Sequence, residues 1–236
     1  MAIYRDQAIV LRTYKLGEAD RIVVLMTRGH GKVRAVAKGV RKTRSKFGAR
    51  LEPTSSVHLQ LYEGRELDIV TQAETAERFA HLRDDLDRLS RAVALLEAVD
   101  HLALEREPDH RLHDMLAGAL RALDQRDSGL IVAAFYWKLL AHTGLEPMLD
   151  ECVGCGSTVD LVAFDVTDGG VRCRSCRRGT PVSGEALDLL GRILGGQLGA
   201  ALNEKTSPAT GEVEGLAVRS LEQHVERRIR SMSLIS

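Results

Sequence analysis

The chain has 236 residues, 44% of them hydrophobic, enough to bury a core in one large or two small domains. Its longest apolar run, Leu130 to Trp137, is eight residues, far short of the roughly 18 that a membrane-spanning helix needs. The start Met1-Ala2-Ile3-Tyr4-Arg5-Asp6 has neither the basic nor the apolar region of a secretory leader, so the expectation is a cytoplasmic protein with no membrane contact.

The balance of 33 Lys and Arg against 33 Asp and Glu hides a strong polarity. Residues 1 to 50 carry thirteen basic side chains and three acidic ones, and the remaining 186 residues carry twenty against thirty. Such asymmetry marks a part built to meet a polyanion joined to a part that is not.

In chain order, Gln7 to Leu16 alternates as a strand, with Ile9, Leu11 and Thr13 on one side and Val10, Arg12 and Tyr14 on the other. Arg21 to Thr27 is a second strand, rich in β-branched residues, and Gly29-His30-Gly31 is a tight turn. Lys32 to Lys38 then alternates, which places Val33, Ala35 and Ala37 on one face and a basic strip on the other. A long connection, Gly39 to Pro53, precedes two more strands, Val57 to Tyr62 and Glu66 to Ala73. Five short strands with one long basic connection predict a small closed barrel of the oligonucleotide-binding type over residues 1–78.

Beyond Thr75 the period becomes helical. Leu82, Leu86, Leu89, Val93, Leu96 and Val99 mark one amphipathic helix ending near Glu107-Pro108, and Asp84-Asp85 reads as a helix N-terminal turn. Further helices are expected over Asp109 to Arg126, Leu130 to His142, Ser183 to about Gly195, and Glu212 to Arg230, with Asn203 to Gly211 as a loop. The fold class is therefore α+β. A barrel is followed by a helical domain over 79–148 and 180–236, interrupted by a metal module over 149–179.

That module rests on all four cysteines of the chain. Cys152-Val153-Gly154-Cys155 and Cys173-Arg174-Ser175-Cys176 are two Cys-x-x-Cys pairs, the spacing of a tetrathiolate zinc site. Disulfides require an oxidising compartment, and a thioredoxin-like site needs one reactive pair at a strand-to-helix junction rather than two symmetrical pairs. Four thiolates leave no open position for water, so one structural Zn2+ is expected, its negative charge offset by Arg172, Arg174, Arg177 and Arg178.

Nine basic residues and no acid lie between positions 28 and 50: Arg28, Lys32, Arg34, Lys38, Arg41, Lys42, Arg44, Lys46 and Arg50. On a barrel face and its adjoining loop they form a positive groove suited to a phosphodiester backbone. Tyr14, Phe47 and Tyr62 are candidates for base stacking, Tyr62 reading better as core. No catalytic set is evident. Gly29-His30-Gly31-Lys32 lacks the spacer and hydroxyl of a phosphate loop, and His110 and His113, three apart on a helix, read as surface or capping residues.

Three stretches in the first half carry a family resemblance: Leu16-Gly17-Glu18-Ala19-Asp20-Arg21-Ile22-Val23, Ala35-Val36-Ala37-Lys38-Gly39-Val40-Arg41-Lys42 and Phe47-Gly48-Ala49-Arg50-Leu51-Glu52-Pro53. Together with Gly144-Leu145-Glu146-Pro147 ahead of the cysteines, they resemble the zinc-binding type of the RecO family of recombination mediators. The resemblance implies a nucleoid-associated, non-enzymatic protein that binds single- and double-stranded DNA and anneals complementary strands. It also implies partners: RecR, single-stranded-DNA-binding protein and, indirectly, RecA. Among the basic positions it weights Lys32, Arg34, Lys38, Arg41 and Lys42 most. The competing reading is a zinc-stapled scaffold whose basic face binds an acidic protein.

Overall fold

The computed structural model describes residues 2–226, 228, 229 and 231. They form two compact units, one built from Met1–Arg126 and joined by Ser231, the other from Asp127–Ile229.

The first unit contains a closed barrel of β1 (Ile3–Leu16), β2 (Asp20–Thr27), β3 (Gly31–Ala37), β4 (Ser56–Tyr62) and β5 (Asp68–Glu77), in the order β1-β2-β3-β5-β4. All neighbours are antiparallel except β3 and β5, which meet in parallel over Ala35↔Asp68 and Val36↔Ile69. Ala8, Val10, Val23, Leu25, Ala35, Ala37, Val57, Leu59, Leu61 and Val70 fill the interior. The strict alternation expected for β1 fails at one point. A register shift between Val10 and Arg12 inserts an extra residue, so Val10 points into the core while Arg12, of the same parity, lies outside.

The single helix expected from Leu82 onward is two, α1 (Ala80–Asp84) and α2 (Leu86–Leu102). The chain breaks at Asp85, which is extended and caps α2 by accepting from the amides of Asp87 and Arg88, the helix-start role read for Asp84-Asp85. α3 (His110–Gln125) is capped by Asp109 and buries Leu112, Leu116, Leu120 and Leu123. His113 departs from its expected surface role. It lies buried on the apolar stripe, its Nδ1 3.1 Å from Asp114 Oδ1.

The connection between α2 and α3 lies against β3: Lys32 N donates to Leu104 O, and Arg106 N to Lys32 O. This close approach explains Gly31, which has φ +66 and where a Cβ would stand 1.9 Å from the Glu107 carbonyl oxygen.

In the second unit α4 (Leu130–His142) is buried nearly all round, as an eight-residue apolar run without a polar face requires. Around it are a three-stranded sheet, β6 (Leu161–Asp165), β7 (Gly170–Cys173) and β8 (Thr180–Pro181), ordered β7-β6-β8, and helices α5 (Gly184–Leu194), α6 (Leu198–Ala201) and α7 (Pro208–Val225). α7 begins four residues before the expected Glu212 because Ser207-Pro208-Ala209-Thr210 is a capping box with Pro at the helix start. It ends at Val225, with Glu226 left-handed at φ 51, short of the expected Arg230; Arg227 and Arg230 lie outside the described residues.

The Ser207 hydroxyl accepts from Thr210 N, and Ser207 N donates to Thr210 Oγ1 at 2.9 Å. Ser207→Ala is expected to lower stability of this unit by about 1 kcal/mol, a shift of roughly 2–4 °C for a chain of this size. Thermal unfolding followed through Trp137 would show it, and Ser207→Asp should restore most of the loss. An unchanged midpoint would count against the cap.

No helix among the described residues is long and apolar enough to cross a membrane.

Candidate metal centre and nucleic-acid interface

The four cysteines converge. Their Sγ atoms lie within 4.8 Å of one another, and Cys155 and Cys173 are 3.7 Å apart. A tetrahedral ion with bonds of about 2.3 Å to sulfur separates its ligands by about 3.8 Å, so the set can hold one metal ion. Each pair sits on a tight turn: Cys155 N and Gly156 N donate to Cys152 O, and Cys176 N to Cys173 O. Gly154 N points at Cys152 Sγ from 3.4 Å. A Cβ at 154 would stand 2.5 Å from Arg172 Nη1, so a larger residue there would have to displace the tip of that side chain.

The four thiols perturb one another. Amide donors, first Cys173 N–H and then those of Gly154 and Cys155, lower the Cys152 thiol to about 6. Contacts with the sulfurs of Cys155 and Cys173 push Cys176 up to about 12. A dication relieves that crowding. Of the four arginines expected to offset the charge, two are held by a single buried acid: Arg172 Nε and Arg178 Nε bond to Asp165 at 3.1 and 3.0 Å. Arg172 also pairs with Asp168.

The module's sheet, for which no strand was expected from sequence, carries these parts. β7 ends in Cys173, Val153 N bonds to Val171 O, and Phe164 of β6 sits edge-on to Trp137, ring centroids 5.7 Å apart.

The basic positions divide. Arg34, Lys38, Arg41, Lys42, Arg44, Lys46 and Arg50 are exposed, the first on the outer face of β3 and the rest on the segment after it. The period-two reading of Lys32 to Lys38 holds, with Val33, Ala35 and Ala37 fully buried. Arg28 and Lys32 do not join the open set. Arg28 forms a two-bond pair with Asp114, both bonds 2.9 Å, and this pair, with His113 second, holds the Asp114 carboxyl well below the usual range. Lys32 is 13% exposed, and its Nζ donates to Asp100 O at 2.6 Å. Three loop side chains also donate to backbone carbonyls: Arg41 to Gly17 O in the β1–β2 turn, Lys46 to Thr71 O in β5, and Arg50 to Lys46 O and Phe47 O of its own segment.

The candidate aromatics separate as clearly. Phe47 is in the barrel core, Tyr62 is half-buried, and Tyr14 is 43% exposed with the Arg12 guanidinium 4.9 Å from its ring centre. Arg12, outside the basic set read from sequence, is ion-paired with Asp100 at 2.8 Å. The register Arg12↔Val24↔Arg34 sets it across β2 from Arg34, and both line a cleft of about 360 Å³ with Tyr14, Lys32, Asp100 and Glu105. The only signal was period-two alternation, which the bulge at Leu11 scrambled.

Residues 1–79 match the family model described as Recombination protein O N terminal, and residues 83–233 match Recombination protein O C terminal. The chain belongs to the RecO family. The RecO N-terminal match ends two residues after β5, so the barrel is the family's N-terminal part, and the C-terminal match takes in the helices from α2 onward and the cysteine cluster. Membership places the protein among the recombination mediators of DNA repair, with DNA and the recombination machinery as its partners.

Proposed function

We propose that this RecO protein binds DNA along the outer face of β3 and the following basic segment, and anneals complementary strands. With RecR it helps load RecA onto strands coated by single-stranded-DNA-binding protein. The observation that carries the reading is the run of seven exposed basic side chains from Arg34 to Arg50 with no acid among them. Neutralising phosphates on two strands lowers their repulsion and lets pairing proceed, so no catalytic residue is required. Tyr14, backed by Arg12, supplies one aromatic face for a base. One structural zinc ion on Cys152, Cys155, Cys173 and Cys176 completes the molecule.

Fluorescence anisotropy of a labelled single-stranded oligonucleotide, titrated across a salt series, tests this. Seven engaged cations predict a slope of log K against log salt of about −5, from about −0.7 per phosphate on single strands. Reversing Lys38, Arg41 and Lys42 together to Glu should lower affinity at least tenfold with the fold intact. Wild-type protein that fails to bind at low salt would hand the basic face to an acidic protein partner instead.

A further inference from the structure

A second basic cleft, of about 530 Å³, opens in the first unit between the turn at Gly48–Leu51, the start of β4 and the passage from β5 to α1. Three arginines line it, Arg50, Arg78 and Arg83, all exposed. The acids on the same wall do not cancel them. Glu77 is taken up by Arg121 through two bonds of 2.7 and 2.9 Å, which leaves Asp84 against three guanidinium groups. Arg50 is steadied by the carbonyls of Lys46 and Phe47, and Arg83 by the Ser55 hydroxyl at 2.7 Å; each keeps further N–H groups for a ligand.

The deciding observation is Ser56. The residue lines the cleft and is 1% exposed, yet its hydroxyl has no hydrogen-bond partner among the described residues. A buried hydroxyl without a partner is costly and uncommon. A ligand oxygen held by the arginines would accept from it.

We infer that this cleft is a phosphate-binding subsite. Guanidinium forks and a hydroxyl donor are the donor set that fits a tetrahedral oxyanion. The cleft adjoins the basic segment ending at Arg50, so the phosphate is one carried by a nucleic-acid strand. That carrier rests on the DNA-binding reading above; the subsite itself does not.

Inorganic phosphate titrated into the full chain at constant ionic strength, followed through the Ser56 amide resonance, is expected to give a saturable shift that chloride does not. The double substitution Arg50→Gln, Arg83→Gln should weaken it at least tenfold. Ser56→Ala should weaken it threefold or more while leaving the thermal midpoint unchanged or higher, because it removes an unpartnered polar group; a merely structural serine would do the reverse.

The carrier is read from short oligonucleotides with and without a 5′-phosphate. Tighter binding of the phosphorylated form, lost in the arginine variant, assigns a strand end. Equal binding, with the salt slope reduced by about 0.7 for each arginine removed, assigns an internal phosphodiester. Phosphate and DNA binding both unaltered in all the variants would overturn the subsite. Saturable phosphate binding without DNA binding would remove the carrier and leave the subsite in place.

Discussion

Cys173→Ser, or a strong chelator, is expected to release one zinc ion per chain and unfold the segment around β6, β7 and β8 while the barrel stays folded. The module has little else to hold it. Its strands are five, four and two residues long, and its apolar interior is essentially Ala163, Phe164 and Val171. A structural zinc site contributes about 10–16 kcal/mol near neutral pH, far more than so small an apolar interior can replace.

The sole tryptophan reports on the event directly. Trp137 lies in the second unit and touches Phe164 edge-on, so loss of the sheet should change its fluorescence. The first unit contains no tryptophan, and amide exchange in β1 to β5 gives the separate readout there. Because the ligands bind as thiolates, metal affinity should also fall as pH falls. A protein that is metal-free by elemental analysis yet keeps its Trp137 signal and full stability would remove zinc from the account.

Much of this was legible in the chain. Period-two runs such as Lys32 to Lys38 announce a half-buried strand, because each alternate residue must enter the core. The cysteine pairs announce a metal site because the spacing itself is the geometry. What was not legible depended on contacts distant in sequence. Lys32 reads as a free cation until Asp100, 68 residues later, accepts from it. Arg28 likewise reads as open until Asp114 arrives. Phe47 sits in a basic loop, where an aromatic suggests stacking, but the closed barrel needs it as core. The start of α7 was written in Ser207-Pro208 and overlooked because polar residues on either side resembled a loop.

Asp68 yields the sharpest test of how the first unit holds together. It is fully buried at the short parallel seam where β5 closes on β3, and it accepts from Tyr4 Oη, from Gly64 N at 3.0 Å and from Arg106 Nη2 at 2.7 Å. One carboxylate thus ties β1, the β4–β5 turn and the α2–α3 connection to the seam. Burial opposes its ionisation, but hydrogen bonds from Arg106, Tyr4 and Gly64 outweigh that and hold its pKa below the usual value; burial, with the Asp68 bond second, pushes the Tyr4 hydroxyl well up. A depressed carboxylate pKa contributes stability present above the unfolded value, near 3.9, and lost as pH falls through the folded one.

Arg106→Ala is expected to invert that sign. With the guanidinium gone, burial dominates, the folded pKa rises, and the barrel becomes more stable relative to its own neutral-pH value as acid protonates Asp68. At neutral pH the loss should be about 2–3 kcal/mol, below the 3–5 kcal/mol typical of a buried pair because the Arg106 side chain is 43% exposed and the interaction is partly screened. Asp68→Asn should instead flatten the pH dependence, since an amide keeps one acceptor and cannot titrate. Exchange of barrel amides in urea at several pH values separates the cases, and a wild-type slope in Arg106→Ala would show that the charge at Asp68 is not what holds the seam.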